Sequence, residues 1–134
     1  GSVTRQVIET VDIFPTLAEL AGLPRPTGPQ PIDGVSMVPV LRNPDARVDD
    51  HVYHCFPHGG VMGRGIRTER YRLVEWKKIG APAETAEYEL YDYQTDPEER
   101  ENLIDKLPDV AAKLKQILSR YPEAAIPITQ RRPG

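Results

Sequence analysis

His51, His54, Cys55 and His58 fall within one stretch of eight residues. Imidazole nitrogen and thiolate sulfur are good zinc ligands, and four of them can close a tetrahedral site. The segment His51-Val52-Tyr53-His54-Cys55-Phe56 reads as a strand, along which successive side chains point to opposite faces. His51 and His54 then diverge, as do His54 and Cys55, so no metal site is expected. The second chemistry is anion recognition. Gly59, Gly60, Gly63 and Gly65 make residues 57–65 a loop permissive of unusual backbone angles and of close approach to a ligand. His54, His58 and Arg64 flank it, and an arginine offers a planar fork to a carboxylate or sulfate. These three are the candidate ligand-binding residues. The plainer alternative is a flexible loop whose charges are solvated.

The other charged motifs read as structural. Arg67, Arg70 and Arg72 form a basic run opposed by Glu69 and Glu75. Alternation puts Arg70 and Arg72 on one face, where cross-strand pairing with acidic neighbours is expected. Asp96-Pro97-Glu98-Glu99 is an Asp-Pro turn and capping feature rather than a catalytic carboxylate pair. Trp76 and the tyrosines read as sheet packing. No residue is assigned a catalytic role.

These groups need elements to hold them. Val3, Val7, Val11, Phe14, Leu17 or Ala18, and Ala21 follow a helical stripe, and the helix itself starts near Val11-Asp12 because Pro15 is tolerated only in a first turn. Gly22 and Pro24 stop it. A proline-rich connector follows, with Asp33-Gly34 as a turn and Met37 to Leu41 as a short helical turn or buried loop. Beyond His51 the period becomes that of strands. Gly63–Thr68 and Tyr71–Lys77 form a hairpin joined at Glu69-Arg70, and Tyr88–Tyr93 makes a fourth strand. A helix starts at Pro108-Asp109 and presents Val110, Leu114, Ile117 and Leu118 on one face. The expected class is α+β, a small antiparallel sheet of about four strands with the C-terminal helix packed on it. Residues 1–24 hold an extended segment and helix, 25–49 the connector, 50–122 the sheet and helix, and 123–134 an irregular tail. The first helix leaves Val11, Phe14, Leu17, Leu20 and Leu23 without an evident partner, five side chains worth about 7–15 kcal/mol if buried.

With 134 residues the chain is one domain's worth, or a piece of something larger. A net charge of −3 provides no basic stripe for nucleic acid. No apolar run approaches the roughly 18 residues that span a bilayer, so no membrane partner is expected. A single cysteine excludes an internal disulfide.

Four blocks, in order, resemble the sulfatase family. They are Val11-Asp12-Ile13-Phe14-Pro15-Thr16-Leu17 with Leu20-Ala21-Gly22-Leu23-Pro24; Asp33-Gly34-Val35-Ser36-Met37 with Pro39 and Leu41; Ile66 to Leu73; and Glu89 to Leu103, read E-L-Y-D-Y-Q-T-D-P-E-E-R-E-N-L. Each block is weak alone, and their order over roughly residues 7–118 makes the resemblance specific. Met62–Thr68 and Tyr71–Trp76 are similar to the iduronate-2-sulfatase-like branch.

The resemblance implies a C-terminal subdomain packed on a large α/β catalytic domain, the first helix belonging to that larger domain. It implies a sulfuric ester hydrolase whose formylglycine nucleophile and calcium ligands lie upstream of this chain, which itself carries no cofactor. Its partners would be that N-terminal catalytic domain and a sulfated sugar, possessing a sulfated uronic acid if the branch holds. His54, His58 and Arg64 would then border the substrate cleft. Periplasmic, secreted or lysosomal residence is implied by the same resemblance. Cys55-Phe56-Pro57-His58-Gly59 approaches the C/S-x-P-x-R maturation motif, but Gly59 stands where that motif has arginine. Cys55 is therefore expected to be a small core residue on a strand. Two other readings remain open: a free-standing, non-catalytic module binding glycan or protein, and the C-terminal part of a related phosphodiesterase.

Overall fold

The computed structural model describes residues 1–25 and 27–123. The chain divides into two compact units, one from Gly1 to Val52 and one from Tyr53 onward. The expected tail beyond Glu123, with Arg131 and Arg132, lies outside the described residues.

In the first unit a 3-10 turn, Thr10–Asp12, leads into α1 (Ile13–Leu20). Pro15 sits in the first helical turn, where the missing N–H removes no bond. Gly22, at φ +68°, ends the helix, and Leu23 N–H returns to the Ala18 carbonyl at 3.0 Å. Two side chains then strap residues 34–37 to the helix start. The Asp12 carboxylate accepts Glu9 N–H at 2.7 Å and Val35 N–H at 2.8 Å. The Thr16 hydroxyl donates to the Asp12 carbonyl at 2.6 Å and accepts Met37 N–H at 2.9 Å. Helix α2 (Val38–Arg42) follows and buries Val38 and Val40. Gln6 reaches the Asp49 carbonyl at 2.7 Å and accepts Val48 N–H at 3.2 Å. The 25–49 segment thus makes hydrogen bonds with residues 1–24. Phe14, Leu17, Leu20 and Leu23 remain more than half exposed.

The second unit is built on four antiparallel strands in the order β1 (His51–His58), β2 (Val61–Thr68), β3 (Tyr71–Lys77) and β4 (Glu87–Asp92). Register places Ile66 opposite Leu73 and Leu73 opposite Leu90. These three are fully buried beneath Ala111, Leu114 and Leu118 of α3 (Pro108–Leu118), residues at helical spacing. The α+β expectation therefore holds.

The Glu89–Leu103 signature acquires a physical role. Asn102 accepts Leu90 N–H at 2.9 Å and donates to the Tyr88 carbonyl at 3.2 Å, standing in for a further strand beside β4. Leu103 N–H completes that edge at the Leu90 carbonyl, 2.7 Å away. Asp96 holds the intervening turn by accepting Glu101 N–H at 2.9 Å.

The glycine-rich segment departs from expectation. β1 continues through Pro57 and His58, and the loop is only Gly59-Gly60, at φ +54° and +87°. Positive φ at both central positions suits a two-residue hairpin turn and selects glycine. Pro57 is tolerated because β1 is the edge of the sheet, where a missing N–H breaks no ladder. Gly63 and Gly65 belong to β2, and they serve packing rather than loop flexibility.

Candidate functional site

The helix-free face of the sheet carries two of the three candidate residues, His54 and His58. A Cβ on Gly65 would lie 2.2 Å from the His54 ring, so that imidazole rests directly on glycine backbone. Similarly, a Cβ on Gly63 would lie 2.5 Å from Cζ3 of Trp76, the residue opposite it in register. The His58 ring stands 5.8 Å from the indole, tilted by 58°. Glycine at these two positions lets large rings lie flat against the sheet.

Beside His54, Arg72 pairs with Glu99, which also accepts the Tyr93 hydroxyl. The Arg67 guanidinium lies 3.6 Å from the centre of the Tyr93 ring and donates a hydrogen bond to the Thr68 carbonyl. Two guanidinium groups thus meet one carboxylate, leaving this part of the face electropositive. Burial, followed by the nearby Arg72 charge, depresses the His54 imidazole below its ordinary value near 6.5. The consequence for stability has a definite sign. Below pH 6.5 the unfolded chain binds the proton that folded His54 resists, so stability falls on acidification through that window. A His54→Asn variant should show a smaller loss of urea midpoint between pH 7.5 and 5.5. An unchanged pH dependence would contradict this.

Arg64 is not with the two histidines. It lies inside β2 on the α3 side, 4% exposed, directly opposite Glu75. Its Nη2 and Nε donate to Glu75 at 2.7 and 2.9 Å, and Nη1 donates to the Pro122 carbonyl at 2.9 Å. Nη2 also reaches Glu123 at 3.1 Å. The fork expected for a ligand thus closes a contact between the sheet and the segment that immediately follows α3. Glu75 also accepts the Tyr88 hydroxyl at 2.9 Å, and that phenol is pushed up to about 12 by burial and by this bond.

The basic run pairs differently from expectation. Arg70 forks onto Asp92 at 2.7–3.1 Å and Arg72 reaches Glu99, both beyond the hairpin, while Glu75 belongs to Arg64. Arg67 and Arg72 are the functional candidates missed in the sequence, where they read as structural charges of the hairpin; what singles them out is the His54 imidazole that β1 lays over Gly65 beside them. Cys55, expected in the core, is exposed on the edge strand with Tyr53 Oη 2.7 Å from its sulfur. Among the described residues, one group of metal-ligand types converges, the consecutive Asp49, Asp50 and His51. The His51–Asp50 bond there holds the Asp50 carboxyl below its ordinary range. No helix among the described residues is long and apolar enough to cross a membrane.

A family model described as N-sulphoglucosamine sulphohydrolase, C-terminal, matches residues 1–124. Arylsulfatase K of Mus musculus is 28% identical over 92% of this chain, which corresponds to 23% of that protein. The ulvan-active sulfatase of Formosa agariphila is 30% identical over 81% of this chain and 27% of its own length. Among solved structures, BT4656 in complex with its substrate D-glucosamine-2-N,6-O-disulfate superposes with a TM-score of 0.63 at 25% identity. That match covers 81% of this chain and 22% of the other. The chain spans 23% and 27% of the lengths of the two curated relatives.

Proposed function

The chain belongs to the sulfatase family, as a C-terminal domain of the N-sulphoglucosamine sulphohydrolase type, and from that premise we propose that it walls the substrate cleft of a sulfuric ester hydrolase acting on sulfated sugars. The observation that carries this reading is the helix-free sheet face, where His54 lies beside the electropositive Arg67–Arg72 pair around Glu99 and His58 stands farther along the same face, against Trp76. Such a face suits an anionic sugar, because a guanidinium meets sulfate or carboxylate through two parallel hydrogen bonds. His54 and His58 enter the proposal as substrate contacts. Arg64 enters as the residue that fixes β2 and β3 behind them. The relatives' names point the same way, one being active on ulvan and one bound to a disulfated glucosamine.

The catalytic centre, in this reading, lies on an N-terminal catalytic domain that supplies a formylglycine nucleophile and calcium. Cys55 does not fit the nucleophile: Gly59 replaces the motif's arginine and the thiol lies on an exposed edge strand. Asp49, Asp50 and His51 do not fit calcium either, a hard cation that takes six to eight oxygen ligands. The finer proposal is the iduronate-2-sulfatase-like branch, with a 2-O-sulfated uronate as substrate and a periplasmic, secreted or lysosomal setting. It rests on Met62–Thr68 and Tyr71–Trp76.

The test is sulfate release by the complete enzyme from disaccharides bearing 2-O-sulfated uronate, 6-O-sulfated glucosamine or N-sulfated glucosamine. Release from any of them supports the class, and preference for the uronate supports the branch. His58→Ala should lower kcat/KM by about tenfold, equivalent to about 1.4 kcal/mol. Turnover by the 134-residue chain alone would overturn the placement of the nucleophile.

A further inference from the structure

A pocket of about 610 Å³ opens beside the hairpin and is lined by His58, Trp76, Lys78, Thr85, Glu87 and Glu89. Its volume is in the range of small-molecule sites, about 300–1,000 Å³. Its floor is aromatic: the indole lies on the Gly63 backbone, which fixes the ring plane, and the His58 ring stands against it. Its rim is polar, with an exposed hydroxyl, an exposed ammonium and two carboxylates. Lys77 also borders the pocket, but its ammonium is held by Glu123 at 2.8 Å. Lys78 therefore faces two carboxylates, and the rim carries a small negative excess.

From this arrangement we infer that the pocket is a subsite for an uncharged pyranose ring, distinct in its chemistry from the electropositive Arg67–Arg72 region. A pyranose presents axial C–H groups on one side, which the negative face of an indole attracts. Its hydroxyls are donors, matching the acceptor-only Glu87 and Glu89, and acceptors, matching Lys78 and Thr85. A sulfate placed there would meet the two carboxylates and be repelled. The inference extends the sulfated-sugar reading by assigning to this chain the grip on a non-sulfated residue of the same glycan. The binding itself does not depend on hydrolysis.

Calorimetric titration of the complete protein with tri-N-acetylchitotriose and with its 6-O-sulfated form tests this without turnover. Both should bind, the neutral form at least as tightly. Trp76→Ala should weaken binding tenfold or more in a protein whose circular dichroism is unchanged. If that variant fails to fold, Glu87→Gln decides, because its side chain is exposed; a threefold or greater loss is expected. No binding of the neutral trisaccharide, binding of the sulfated form alone, or unaltered binding by folded variants would each overturn the inference. Sugar binding without release of sulfate from any ester would count against the proposed function and leave the subsite standing.

Discussion

Arg64→Met is expected to cost about 3–5 kcal/mol of folding free energy, the range for removing one partner of a buried ion pair. The side chains of Arg64 and Glu75 are 5% and 8% exposed, and they meet at 2.7 Å. Methionine replaces most of the arginine's volume, so packing is largely kept and the loss reports on charge. What remains is a buried carboxylate whose donor among the described residues is the Tyr88 hydroxyl, and the Tyr121 and Pro122 carbonyls, which have lost theirs. For a domain whose total stability is about 5–15 kcal/mol, that approaches unfolding. Urea denaturation measures it, with the slope checked for constancy. The double variant Arg64→Met/Glu75→Leu should recover a large part of the loss, because no charge is then stranded in the core. A single-variant loss below about 1 kcal/mol would mean the pair behaves like a solvated surface bridge, contrary to its burial.

That pair is legible in the sequence. Counting outward from the Glu69-Arg70 turn places Arg64 opposite Glu75 and Gly63 opposite Trp76, as the register has them. Four glycines in seven residues instead suggested a loop, and a loop arginine suggests a ligand. Glycine has a second use: a flat seat for a ring on a strand, which is what Trp76 and His54 require. The strands and α3 were readable because alternation and helical spacing are local. The partners of Arg70 and Arg72 were not, because Asp92 and Glu99 reach them from beyond the hairpin, and Glu99 does so from a turn at φ +54°. No periodicity encodes such a contact. Cys55 departs from its expected core position for a related reason: strand membership is visible in the sequence, but its place on the exposed half of an edge strand depends on where α3 lies.

Gly34→Ala should destabilise the first unit by about 3 kcal/mol, the upper end of the usual range for overpacking. The sign is informative. Gly34 does not occupy positive φ, so replacing glycine by alanine would ordinarily stabilise by restricting the unfolded chain. Here the new methyl carbon would lie 2.1 Å from the Val11 carbonyl oxygen and 2.5 Å from its carbon. Both are backbone atoms, and the Asp12 carboxylate ties Val35 N–H through one oxygen and Glu9 N–H through the other, so no side chain can swing away to make room. The Asp-Gly pair at 33–34, read as a turn, is therefore also a contact that lets residues 34–37 lie against the start of α1. Asp12→Ala releases that strap, and in its background the added methyl should cost markedly less, a coupling expected only for groups sharing one contact. Hydrogen exchange at the Val35 and Met37 amides reads the opening directly, since these are the two donors the strap protects. Faster exchange at both in Gly34→Ala, with α3 amides unaffected, would locate the damage in the first unit. Equal or greater stability of the variant would show that residues 11 and 34 do not touch in solution.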